Sequence, residues 1–140
     1  MRSSNVGKLK TVLFVCVHNS ARSQMAEAFF NEMTGGRHLG ISAGSEPAEA
    51  VNPDAVEAMA DLGIDISGAR PKRLTAEMVE RADIVITMGC EENVCPVVPK
   101  EIADWELEDP SGKPLEEVRE IRDKIRGKID LLVKAISEDE

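Results

Sequence analysis

Residues 11–17 read TVLFVCV, and residues 18–23 continue as HNSARS. The first seven are apolar almost without a break and rich in β-branched types, the pattern of a short strand buried on both faces. His18, Asn19 and Ser20 interrupt the run. Apolar residues return at Met25, Ala28, Phe29 and Met33, spaced for one helix face over residues 21–34, and Gly35-Gly36 closes that helix. Strand, tight polar loop and helix make the opening of a βαβ unit.

Working outward, residues 38–43 predict a second short strand ending at Gly44. Asn52 and Pro53 are suited to the N-cap and first position of a helix carrying Val56, Met59, Ala60 and Leu62 and stopping at Gly63. Thr75, Met78 and Val79 predict a short helix up to Arg81. Residues 84–88 (IVITM) read as a third buried strand and residues 102–107 as a fourth. From 113 to 136, Leu115, Val118, Ile121, Ile125, Ile129, Leu132, Val133 and Ile136 recur at three- and four-residue steps, a long amphipathic helix with Glu–Arg and Glu–Lys pairs on its outer face. Residues 1–9 read as a flexible tail, 10–136 as one domain and 137–140 as an acidic tail. Alternating strands and helices predict an α/β fold with a parallel sheet, whose ligand lies beyond the carboxyl ends of the strands. Cys16, Cys90 and Asp109 each follow or end a strand, so they are expected at one rim.

The loop after the first strand has the chemistry of an oxyanion site. Backbone N–H groups of Val17, His18, Asn19, Ser20, Ala21, Arg22 and Ser23 can turn inward at a helix N-terminus that carries partial positive charge. Arg22, six residues after Cys16, can bring its planar fork back onto a tetrahedral anion. A field of this kind favours a cysteine in its nucleophilic, thiolate form. Ser20 and Ser23 can donate to the sulfur, and Asn19 suits a left-handed turn. Cys-x5-Arg alone recurs by chance, and Cys16 and Arg22 would then be an ordinary strand-end cysteine and a solvated helix residue. The placement between buried strand and helix, with Ser23 next, is what gives the motif weight. His18 reads as a loop filler, and His38 needs no function.

Asp109 precedes Pro110, which holds it extended and fixes where its carboxylate points. One carboxylic acid so placed can protonate a leaving oxygen, but Asp-Pro by itself is a common turn dipeptide and gains weight only from the resemblance given below. Cys90 and Cys95 flank a polar run, Glu-Glu-Asn-Val. A metal site would need one or two more ligands, for which only Cys16, His18 and His38 remain. A redox pair and a structural pair are the other readings. If this segment is helical, five residues put the Cα atoms about 8–9 Å apart. Bridgeable cysteines need about 7 Å or less, so a disulfide there requires residues 89–96 to unwind.

Composition bounds the rest. At 140 residues the chain can hold a core without staples, and three cysteines in an unsecreted chain do not form a disulfide framework. The net charge of −9 and pI near 4.8 argue against nucleic acid or an anionic membrane as partner. The start is polar and the apolar run after it too short for a leader or a span, so the expected location is cytoplasmic.

Together, residues 15–28 (VCVHNSARSQMAEA), Ser42-Ala43-Gly44, Asn52-Pro53, residues 63–67 (GIDIS) and residues 105–112 (WELEDPSG) resemble thioredoxin-coupled arsenate reductases of the low-molecular-weight tyrosine-phosphatase fold. The resemblance runs from about residue 10 to 136. It implies a four-stranded parallel sheet in order 2-1-3-4 with helices on both faces. It implies that Cys16 attacks arsenate held by the loop amides and Arg22, and that Asp109 protonates the departing oxygen. Cys90 would then attack Cys16 and release arsenite, and Cys95 would attack Cys90, leaving a Cys90–Cys95 disulfide for thioredoxin. Arsenic detoxification, no cofactor and a monomer are the corresponding expectations. Some members bind potassium beside the loop. Asn19, Glu27 and Ser42 match that site, but Lys72 stands where a further acidic ligand is expected, so no metal is predicted here. Two alternatives remain. The same loop, arginine and aspartate hydrolyse phosphate monoesters, though with no Tyr, three Phe and one Trp there is little to wall a phosphotyrosine ring. A non-catalytic oxyanion or redox-sensing module would keep the loop but need no acid.

Overall fold

The computed structural model describes residues 9–88 and 102–138. Its strands are β1 (Thr11–Cys16), β2 (Leu39–Gly44), β3 (Ile84–Met88) and β4 (Ile102–Trp105). Its helices are α1 (Arg22–Thr34), α2 (Pro53–Ala60), α3 (Ala76–Arg81) and α4 (Leu115–Glu138). The four strands form one parallel sheet in the order β2-β1-β3-β4, as the resemblance implied. The chain therefore reverses winding direction at β1, and the crevice outside the end of β1 is where a ligand of such a sheet belongs.

The central strand explains its own sequence. Val12, Phe14 and Cys16 join a core with α1, α2 and α4, while Leu13 and Val15 join a smaller one with Ala43, Val85, Met78 and Val79 on the α3 side. Of the six β1 residues, the five from Val12 to Cys16 are 2% exposed or less, so no alternation of polarity is possible there. Phe14, Phe29 and Phe30 are fully buried, each stabilising the fold by about 1.5–3 kcal/mol relative to exposure.

Helix α1 buries more than the expected stripe. Ala26 and Phe30 are buried beside Met25 and Phe29, while Ala28 and Met33 are only partly covered. The reason is tertiary: α1 lies between β1, β2 and α4 and is covered from several sides. Its C-terminus follows the expected glycine cap, with Gly35 left-handed at φ 57°. Asn52 and Thr75 cap α2 and α3 by accepting from Asp54 N and Met78 N. Helix α2 ends at Ala60, short of the expected Leu62, and turns through Gly63 at φ 78°. The fourth strand stops at Trp105, before the expected Leu107.

On α4 the expected face is buried at Val118, Ile121, Ile125, Ile129 and Ile136, and the helix runs two residues past the expected end. Two of its arginines, Arg119 and Arg122, reach across to α2 where pairs along the helix were expected. Arg119 donates to Asp61 Oδ2 at 2.6 Å and Arg122 to Ala58 O at 2.9 Å, tying α4 to the end of α2. A guanidinium reaching a neighbouring carboxylate with two donors outcompetes an exposed pair along one helix. The free edge of β2 is closed by Asn31, whose amide accepts from Gly40 N (2.7 Å) and donates to Gly40 O (3.1 Å), in the place of a missing strand. Among the described residues no helix is long and apolar enough to cross a membrane.

Candidate active site

Strand β1 delivers Cys16 to the floor of the loop, 2% exposed. Ser23 Oγ lies 2.8 Å from its sulfur, and Asn19 N donates to the same sulfur at 3.2 Å. Asn19 Nδ2 donates to Ser23 Oγ at 2.7 Å, which leaves the Ser23 hydroxyl proton free to point at the sulfur.

The segment after β2 settles which way the loop faces. Glu46 N, Ala48 N and Asn52 N donate to the carbonyls of Val17, His18 and Ser20. In a trans peptide the N–H opposes the C=O, so the amides of His18, Asn19 and Ala21 turn the other way, over Cys16. The His18 ring sits 3.0 Å from Glu46 O on the outer rim, in keeping with a filler. Gly44 is required by this packing: a Cβ there would lie 2.6 Å from Val17 O and 2.9 Å from Asn19 N.

Asn19 is the hub. It is fully buried and, among the described residues, the one non-glycine with positive φ, 50°. Asparagine tolerates this region, and the side chain is held at both ends. Its Oδ1 accepts from Lys72 N at 2.8 Å and from Gln24 Nε2 at 3.1 Å. Gln24, 2% exposed, also reaches Asn19 O and Arg70 O. Sequence reading missed Gln24; the available signal was a polar residue in the first turn of a helix beside buried positions.

Helix α1 has neither a capping side chain nor an acidic residue in its first turn, whereas α2 and α3 have both. Arg22, a cation, occupies that turn against the helix dipole. Uncapped donors and a misplaced cation both become favourable when an anion binds. Arg22 is 5% exposed and donates from Nη1 to Leu107 O at 3.2 Å. Its Nη2 lies 4.0 Å from Asp109 Oδ2. The Asp109 side chain is 49% exposed and its Oδ1 accepts from Ser111 N, a local turn that orients the carboxylate.

The structure thus brings Cys16, Arg22, Ser23, Asn19 and Asp109 to one mouth. Val17 and Ser20 contribute through their carbonyls, and Ala21 starts α1 by accepting from Met25 N. Cys90 and Cys95 lie outside the described residues. Val15 pairs with Thr87, so β3 ends at Met88 level with Cys16, two residues before Cys90.

Asn19, Glu27, Ser42 and Lys72 do not fit a resident monovalent cation. Ser42 Oγ donates to Glu27 Oε1 at 2.6 Å, and Lys72 Nζ lies 3.5 Å from Ser42 Oγ and 3.7 Å from Glu27 Oε1. The positive charge there belongs to the chain itself.

The arrangement can hold a tetrahedral oxyanion above a cysteine sulfur, with an acid at the entrance, which is the class of cysteine-based oxyanion enzymes. The family model described as low molecular weight phosphotyrosine protein phosphatase matches residues 11–140. The chain belongs to that family. Arsenate reductase 2 of Staphylococcus haemolyticus is 38% identical over 124 residues, 86% of this chain and 94% of that protein. A Corynebacterium glutamicum thioredoxin-dependent arsenate reductase has a TM-score of 0.81 at 41% identity, covering 94% of this chain. This chain spans 64% of that longer one. An arsenate reductase in the phosphate binding state has a TM-score of 0.80 at 35% identity, over 91% of this chain and 98% of the other.

Proposed function

We propose that the chain reduces arsenate to arsenite, with Cys16 as nucleophile and Cys90 and Cys95 as the relay. The observation that carries this reading is the Cys16 sulfur under the inward amides, beside Arg22 and Asp109, in a chain with two further cysteines just past β3. The similar relatives named arsenate reductases support it.

The Cys16 thiolate attacks arsenic, an As–S bond forms, and one oxygen leaves as water with a proton from Asp109. The Cys90 thiolate then attacks the Cys16 sulfur. The S–As bond breaks, its electron pair stays on arsenic, and arsenite leaves as arsenic passes from the +5 to the +3 state. Cys95 attacks Cys90, expels the Cys16 thiolate and closes a Cys90–Cys95 disulfide. A thioredoxin dithiol supplies the two electrons that reopen it.

Phosphate monoester hydrolysis is the second reading, favoured by the complete Cys16, Arg22 and Asp109 set. The aromatic residues speak against an aryl substrate: Phe14, Phe29 and Phe30 are buried, and Trp105 packs 6.1 Å from Phe14. The test is arsenate-dependent NADPH oxidation with thioredoxin and thioredoxin reductase, on the wild type and Cys95→Ser. Steady turnover in the wild type, reduced to a single turnover in the variant, is expected. Steady hydrolysis of an aryl phosphate without arsenate turnover would make the chain a phosphatase.

A further inference from the structure

Lys72 is fastened at three points around the oxyanion loop. Its N–H donates to Asn19 Oδ1 at 2.8 Å, and its carbonyl accepts from Gly44 N at 2.8 Å. Its ammonium reaches back to Glu27 of α1 and Ser42 of β2, at 3.7 and 3.5 Å. Glu27 is 27% exposed and Lys72 40%, so this charge pair is partly screened. Ser42, fully buried, gives its proton to Glu27, which leaves its oxygen to accept from the ammonium.

Without the ammonium, Glu27 would keep only the neutral hydrogen bond from Ser42, its charge unbalanced behind a loop that must attract an anion. That unbalanced charge would lie one residue's length from the Lys72 N–H that Asn19 Oδ1 accepts. Asn19 sustains a strained φ only while its partners hold it. Its N–H donates to the Cys16 sulfur at 3.2 Å. The chain of contacts runs from ammonium to Glu27 and Ser42, through the residue 72 backbone, to Asn19 and the sulfur.

We propose that Lys72 is a positioning residue whose ammonium is a built-in cation of the oxyanion loop, making anion binding independent of any dissociable monovalent cation. It builds on the site described above but not on the identity of the reaction, because its test reads anion binding.

The experiment follows alkylation of Cys16 by iodoacetamide in the full chain carrying Cys90→Ser and Cys95→Ser, protected by inorganic phosphate. Lys72→Met is expected to weaken phosphate protection about three- to tenfold. Potassium chloride on the order of 0.1 M, against choline chloride at equal ionic strength, is expected to restore it in this variant. The lysine parent is expected to give the same protection in both salts, and Lys72→Arg to stay within about twofold of it. The double variant Lys72→Met with Glu27→Gln, which removes both charges, should regain most of the lost affinity and serves if the single variant does not fold.

Unchanged protection in Lys72→Met would overturn the proposal. So would a loss that neither potassium nor the double variant repairs, since that marks a merely structural lysine. A potassium response in the parent would overturn it too. Phosphate binding without arsenate turnover would sink the proposed function and leave this inference standing.

Discussion

The proposed oxyanion loop, residues 16–23, and the proposed acid loop around Asp109 meet at the same mouth, yet they are held by different means. In the first, Asn19 and Ser23 are fully buried, and three of the loop's carbonyls are taken by residues 46, 48 and 52. In the second, Asp109 is about half exposed, oriented by one turn of its own, and joined to Arg22 at 4.0 Å. Groups that stabilise developing charge gain most from being fixed in advance, because no reorganisation is then needed at the moment of reaction. A general acid must reach substrate and exchange its proton with water, so exposure would serve Asp109 in the proposed role. Leu107 O, accepting from Arg22, is the point where the rigid part registers the looser one.

Four variants test this contrast, from the largest expected effect to the smallest. Arg22→Lys keeps the charge but loses the planar fork and the bond to Leu107 O. Its kcat/KM for arsenate should fall about a hundred- to a thousandfold, measured in the coupled assay. A loss under about threefold would mean that the fork is not the anion clamp.

Asp109→Asn should lower kcat about a hundredfold while KM and unfolding free energy stay near the parent, the latter within about 0.5 kcal/mol by urea denaturation. If stability falls along with kcat, the acid loop is as tightly built in as its neighbour and the contrast breaks. Unchanged turnover would instead revive a module that needs no acid.

Gly44→Ala should act in the opposite way. A methyl group 2.6 Å from Val17 O must push the loop, so about 1–3 kcal/mol of stability should go, with a rise in KM of about tenfold. Normal stability in this variant would show that the loop has slack.

Asp61→Asn, in the α2–α4 tie and in neither loop, is the control. The Arg119 hydrogen bond, the largest cause, holds the Asp61 carboxyl below its ordinary 3.8, and burial only partly opposes it. A carboxyl lowered in the folded state contributes stability above its ordinary value, and loses it as pH falls through the lowered one. Thermal melts from pH 7 to 3 should therefore converge for parent and variant at the acid end, with kcat/KM unaltered at pH 7. A change in activity would show that the α2–α4 tie reaches the site.

Much of this was legible before any coordinates. The apolar run at 11–17, the three- and four-residue steps of α4 and the cap at Asn52 are short-range signals, each readable within a few positions. The site was legible as far as it is contiguous: Cys16 to Ser23 is one strand end, one loop and one helix turn. Asp109 stood out only through the family resemblance, because Asp-Pro by itself is a common turn dipeptide. Gln24, Arg122 and the pairing of Asn31 with Gly40 were not legible, because a buried polar side chain obeys no period and its partner is named only when the chain returns.

The sequence by itself determined the elements, their order and the residues of the oxyanion loop, since propensity, capping and periodicity act within a turn or a strand. Only the tertiary structure decided what holds that loop in shape. Asn19 meets Lys72 across 53 residues and Arg22 meets Leu107 across 85. Residues 46–52 cover the loop carbonyls because β2 lies beside β1, a neighbour relation that sheet topology sets and local sequence does not encode.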